Sequence, residues 1–61
     1  MTNILVVEDD DTVRQAVARA LRERGHAVAA AGTGLAALEH VIAQRPQVVL
    51  VDLGLPDVDG L

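Results

Sequence analysis

The chain contains no cysteine, no lysine and no Phe, Tyr or Trp. Without cysteine it can form no internal disulfide and no zinc site built on thiolates. Without aromatic rings a flavin or nucleobase would have no stacking partner, and any core must be assembled from Val, Leu, Ile and Ala. All the basic residues are Arg, five against nine acids, for a net charge of −4. A nucleic-acid surface needs a basic footprint, so this segment is not expected to bind DNA or RNA directly. No apolar run approaches the roughly 20 residues needed to span a bilayer. The N-terminus lacks a charged stretch leading into an apolar one with a cleavage site, so no secretory signal is expected. The expectation is a cytoplasmic protein that makes no membrane contact.

What is present is apolar and short. Hydrophobic residues make up 51% of 61 positions, which allows one domain at most. Below about 70–80 residues a single core rarely supplies more than roughly 3–5 kcal/mol. With disulfides excluded, a bound metal or a second subunit remains as a source of extra stability.

Ile4-Leu5-Val6-Val7 is a β-branched run closed by acids and predicts a strand buried on both faces. Asp10 stands where an N-cap belongs, and Asp11 falls in the first helical turn. Val13, Ala16, Val17, Ala20 and Leu21 then recur at helical spacing. Arg19, Arg22 and Arg24 lie toward the C-terminal end, and Gly25 is a natural C′ residue. A first helix is predicted at about 11–24. Ala27–Ala31 is a weaker strand. Gly32-Thr33-Gly34 is a turn in which Thr33 caps a second helix, whose apolar face is marked by Leu35, Leu38, Val41 and Ile42. Pro46 disfavours helix at Arg45. Val48-Val49-Leu50-Val51 is the second strong buried strand. It ends on Asp52, and Gly54, Pro56 and Gly60 make the remainder a loop.

The order is therefore β1-α1-β2-α2-β3, an α/β chain that predicts a parallel sheet with right-handed crossovers. In a doubly wound sheet the strand order becomes 2-1-3, with the two helices on opposite faces. A crevice then opens between the first and third strands at their C-terminal ends, the place where such folds bind ligands. Glu8 and Asp9 follow the first strand and Asp52 closes the third. Adjacent strands lie about 4.8 Å apart, so these carboxylates converge. Held that close they must either take up a proton or recruit a cation. The donors are hard oxygens with no His or Cys beside them in sequence, which suits Mg²⁺ better than zinc. The chemistry implied is phosphoryl transfer to a carboxylate, with the metal offsetting charge on the transferring group.

Ile4-Leu5-Val6-Val7-Glu8-Asp9-Asp10 and Asp52-Leu53-Gly54-Leu55-Pro56-Asp57-Val58-Asp59-Gly60 resemble, in order and separation, the two signature segments of response regulator receiver domains. The Gly25-His26 and Gly32-Thr33-Gly34 turns fit the same pattern, and the resemblance covers the whole chain. It implies a flavodoxin-like receiver fold, of which residues 1–61 would be the N-terminal portion. It also implies a two-component signalling role: Asp52 would accept a phosphoryl group from the phosphohistidine of a sensor histidine kinase. Glu8 and Asp9 would hold Mg²⁺ together with Asp52 and the backbone carbonyl of Gly54, while Pro56 and Gly60 would shape the loop. Such a domain promotes its own phosphorylation but is not a turnover enzyme. The Glu-Asp pair, in place of Asp-Asp, is similar to the subfamily whose winged-helix output domain regulates transcription.

The sequence departs from the family in one respect. Receivers carry a Ser or Thr after a fourth strand and a Lys after a fifth, and both contact the phosphoryl group. Neither segment is present here, and Arg does not stand in simply for that Lys. Weak or absent phosphorylation of the isolated chain is expected. So is self-association through the exposed edge of the third strand. The alternative reading is a non-catalytic dimerisation or interaction module.

Other motifs carry less. Asp57-Val58-Asp59-Gly60 has the letters of a phosphatase motif, but Pro56 precludes the buried strand that motif requires. A calcium loop would need a Glu beyond Gly60. His26 reads as an exposed turn residue and His40 as a surface residue of the second helix. Gly32-Thr33-Gly34 lacks the spacing of a nucleotide-binding loop.

Overall fold

The computed structural model describes residues 2–51. The predicted order holds: β1 (Asn3–Val7), α1 (Asp11–Glu23), β2 (Ala27–Ala31), α2 (Gly34–Gln44) and β3 (Val48–Val51). The strands form one parallel sheet in the order β2-β1-β3. Parallel neighbours require crossovers, and α1 and α2 supply them. Asp52, Gly54, Pro56 and Gly60, and with them the predicted closing loop, lie outside the described residues.

β1 is the central strand, flanked by β2 on one side and β3 on the other. Ile4, Leu5 and Val6 are all buried, and Leu5 is completely so. Successive strand residues point to opposite faces. Leu5 and Val7 meet Ala29, Ala31 and Ala37 of α2 on one side; Ile4 and Val6 face the α1 side. Register is pinned at the lower end. The Asn3 N–H donates to Gln47 Oε1 at 2.9 Å, and the Gln47 N–H donates to the Asn3 carbonyl at 2.9 Å. Ile4 thus pairs with Val48 and Val7 with Val51, while the β1–β2 ladder runs from Asn3↔Ala27 to Val7↔Ala31.

Both helices are capped as their sequences dictate. Asp10 Oδ1 accepts the Val13 N–H at 3.0 Å, and Thr33 Oγ1 accepts that of Ala36 at 3.1 Å. Asp11 in the first turn of α1 and Arg22 in its last complement the helix dipole. Arg22 also donates to the Val28 carbonyl, tying the end of α1 to β2.

Four burial expectations are corrected. β3 is not buried: its four residues are 39–54% exposed, because both helices pack over β1 and β2 and, among the described residues, neither packs on β3. The contact face of α1 is Arg14, Val17, Ala18 and Leu21; Val13, Ala16 and Ala20 are exposed. The stripe is rotated because its Val13 side leans toward the uncovered β3. On α2, Leu35, Leu38 and Ile42 face outward and Ala37 sits on the sheet. His40 and His26 are half-buried rather than exposed, His40 beside Asn3, Ala27 and Pro46.

The helix ends differ in cost. Gly25, after α1, has φ 92°, a left-handed conformation natural to glycine. Arg45, the C-cap of α2, has φ 50°, where a side chain is strained by about 1–2 kcal/mol. Pro46 explains why the chain leaves the helix there. Arg45→Gly is therefore expected to raise the thermal midpoint, by a gain of about 1 kcal/mol or less. Far-UV circular dichroism checks this, and a lowered midpoint would contradict the assigned backbone.

Candidate functional site at the C-terminal ends of β1 and β3

The last paired level of the sheet is Val7 beside Val51. Glu8 and Asp52 are the residues that follow in the two strands' sequences. The Glu8 N–H donates to the Ala31 carbonyl at 3.0 Å, so β1 stays attached to β2 for one residue beyond the strand. By alternation Glu8 falls on the α1 side with Ile4 and Val6, and it is 5% exposed. It lines a groove of about 260 Å³ whose other walls are Val6, Val7, Val13, Val17, Leu50 and Val51. A carboxylate in apolar walls at a strand end is costly to place unless a charge or hydrogen bond offsets it.

The other acids divide by position. Asp9 is exposed immediately after Glu8. Asp10 is committed to the α1 N-cap, and Asp11 pairs with Arg14, so the expectation that these two are structural holds. The described residues alone assemble no group of three potential ligands. The set foreseen from the sequence needs Asp52 and the Gly54 carbonyl, both outside the described residues. The described part is a buried carboxylate beside an exposed one, with no nitrogen or sulfur donor, and its hard-oxygen character fits Mg²⁺.

A wider hollow of about 890 Å³ runs along α1 past Arg19 and Arg22, with Glu23 its one acidic lining residue. It runs along the helix flank and reaches Thr12 and Arg14 at its N-terminal end. Sequence reading passed over Arg14, whose guanidinium donates through Nη1 to the Glu8 carbonyl at 2.9 Å and through Nη2 to Asp11 Oδ1. The available signal was its place three residues before Val17 on the helix face that meets the sheet.

Comparison with known proteins agrees with this geometry. The family described as the response regulator receiver domain matches residues 4–61. The chain is 47% identical over 60 residues to the transcriptional regulatory protein CseB of Streptomyces coelicolor, covering 98% of this chain and 26% of that protein. It is 41% identical over 61 residues to the transcriptional regulatory protein KdpE of Mycobacterium tuberculosis, covering 100% of this chain and 27% of that one. It is 41% identical over 58 residues to the response regulator MprA of Mycobacterium ulcerans, covering 95% and 25%. The chain thus spans about a quarter of the length of these relatives. The sheet order, the acids after β1 and the match over nearly every residue lead to one assignment: the chain belongs to the response regulator receiver domain family.

Proposed function

We propose that the chain is the N-terminal portion of a phosphoryl-accepting receiver in a cytoplasmic two-component system, with Asp52 as the acceptor. The observation that carries this reading is the parallel β1–β3 register ending at Val7 and Val51, with buried Glu8 at the next position. A sensor histidine kinase presents a phosphohistidine. The Asp52 carboxylate forms the new P–O bond as the P–N bond to the imidazole breaks, and the imidazole nitrogen is released to take up a proton. Glu8 and Asp9, with Asp52 and the Gly54 carbonyl, would hold Mg²⁺, and the ion would offset charge on the transferring group. The buried Glu8 side chain fixes the floor of the site, and exposed Asp9 faces the side from which a donor arrives. The protein modifies itself once per cycle and is no turnover enzyme. Because its relatives are transcriptional regulators, the output is regulation of transcription through a winged-helix domain outside this segment.

The test is incubation of the whole protein with Mg²⁺ and a small acyl phosphate, followed by intact-mass measurement. A single phosphoryl adduct that disappears when EDTA is added is expected; a folded protein that takes up none overturns the reading. Among the described residues β3 is an edge strand with exposed side chains, which favours the second reading, an interaction module that self-associates along that strand. An unlabelled protein that sediments as a dimer would decide for it.

A further inference from the structure

We infer that Arg14 is a positioning residue for the acidic turn after β1, and that Gly32 is the glycine that makes room for it. The inference rests on the reading of Glu8 and Asp9 as metal-holding acids and adds what aims them. Three segments meet on one guanidinium. Nη1 donates to the Glu8 carbonyl at 2.9 Å, and Nη2 pairs with Asp11 in the first turn of α1. From the third segment, the turn before α2, Gly32 faces the same group. A Cβ added at Gly32 would stand 2.8 Å from Arg14 Nη1 and 3.5 Å from its Cζ. The side chain of Arg14 is 19% exposed, its stem laid along the sheet-facing side of α1.

The consequence is local and geometric. The Glu8 N–H is fixed by the Ala31 carbonyl and the Glu8 carbonyl by Arg14, so the peptide planes on both sides of Glu8 are held. Asp9 is exposed, and its direction depends on the main chain that carries it. Holding the Glu8–Asp9 peptide therefore sets where the Asp9 carboxylate starts. An opposing effect exists, because a guanidinium near a cation site repels Mg²⁺. Asp11 already neutralises that charge, so the geometric effect dominates.

The two effects predict opposite signs, and Gly32 separates them. Arg14→Met removes both the charge and the hydrogen bonds. Gly32→Ala keeps the charge and displaces the guanidinium. Gly32 has no left-handed φ, and what its new methyl meets is the far end of a flexible side chain, so the fold accommodates it. Mg²⁺ titration of the whole protein by calorimetry is expected to show about tenfold weaker binding for each variant, the scale on which outer-shell partners of metal ligands act. The double variant should be no weaker than the weaker single one, because both remove the same contact. Tighter binding in Arg14→Met, unchanged binding in Gly32→Ala or additive losses would overturn the inference. A wild-type protein that binds no Mg²⁺ would overturn the reading of the site instead. Metal-free amide spectra then decide the role of Arg14. The Asp9 N–H resonance moves or broadens in both variants if Arg14 holds the turn, and an unmoved resonance rules that out.

Discussion

Leu5→Ala is expected to abolish cooperative unfolding of the 61-residue chain at room temperature. Among the described residues, Leu5 is the one large side chain with no exposed surface, and it is the hub on which Ala31, Ala37, Val7 and Ala29 pack. Truncating a buried Leu to Ala costs about 2–5 kcal/mol, from lost transfer energy plus the cavity left behind. A core of this size supplies only roughly 3–5 kcal/mol in total. The two ranges overlap, so the loss is comparable with everything the core contributes. The neighbours are too small to close the gap, since the residues packed on Leu5 are Ala and Val. Far-UV circular dichroism in urea is the measurement, because the chain has no aromatic residue to report by fluorescence. Leu35→Ala is the control. Leu35 is 71% exposed on the outer side of α2, and its loss should stay within about 0.5 kcal/mol. If both variants melted alike, the core would not be centred on β1.

The contrast between Leu5 and Leu35 also shows what the sequence could reveal. Element order, the strand order and the N-caps at Asp10 and Thr33 were legible because each depends on local chemistry or on topology. An apolar run ended by acids makes a strand, a short polar side chain at a helix start accepts an N–H, and alternating strands and helices force a parallel sheet. Burial was less legible, because it depends on what lies across from each face. The periodicity of α2 marked Leu35, Leu38 and Ile42 as its apolar side, yet the sheet meets α2 at Ala37, where the small residue permits close approach. β3 has the sequence of a buried strand, but a pattern records only that a face is apolar. It cannot record whether another layer covers it among the residues described.

Of the candidate site, only the placement of the acids that follow β1 can be compared with the structure. Glu8 could be placed because it directly ends the central strand, and its burial agrees with a position at the mouth of the sheet. Separating Asp10 and Asp11 from Glu8 and Asp9 was also possible, since capping and dipole rules assign the first two to α1. Arg14 escaped notice because its partner is a backbone carbonyl, which carries no residue identity. Its other neighbour, Gly32, matters through an atom it lacks. Contacts of that kind are set by tertiary geometry alone.

Asp52→Asn is expected to remove phosphoryl labelling altogether while leaving the fold and most of its stability in place. The amide is nearly isosteric with the carboxylate but presents a poor nucleophile, and an acyl phosphate cannot form on it without expelling nitrogen. On the proposed arrangement, in which the Asp52 carboxylate converges with Glu8 and Asp9, the substitution also deletes one of three negative charges. Where like charges crowd, removing one relieves repulsion among those that remain. The thermal midpoint measured without metal should therefore hold or rise, whereas the stabilisation conferred by Mg²⁺ should shrink. A ligand at a hundred times its dissociation constant adds about 2.7 kcal/mol, so a weakened site is visible as a smaller metal-induced shift. Two readings, adduct mass and metal-dependent melting, thus report separately on the nucleophile and on the charge. Labelling that persisted in Asp52→Asn would place the acceptor on another residue, with Asp9 the first to test. A variant that lost its fold along with its labelling would make Asp52 structural and remove the main support for a phospho-acceptor.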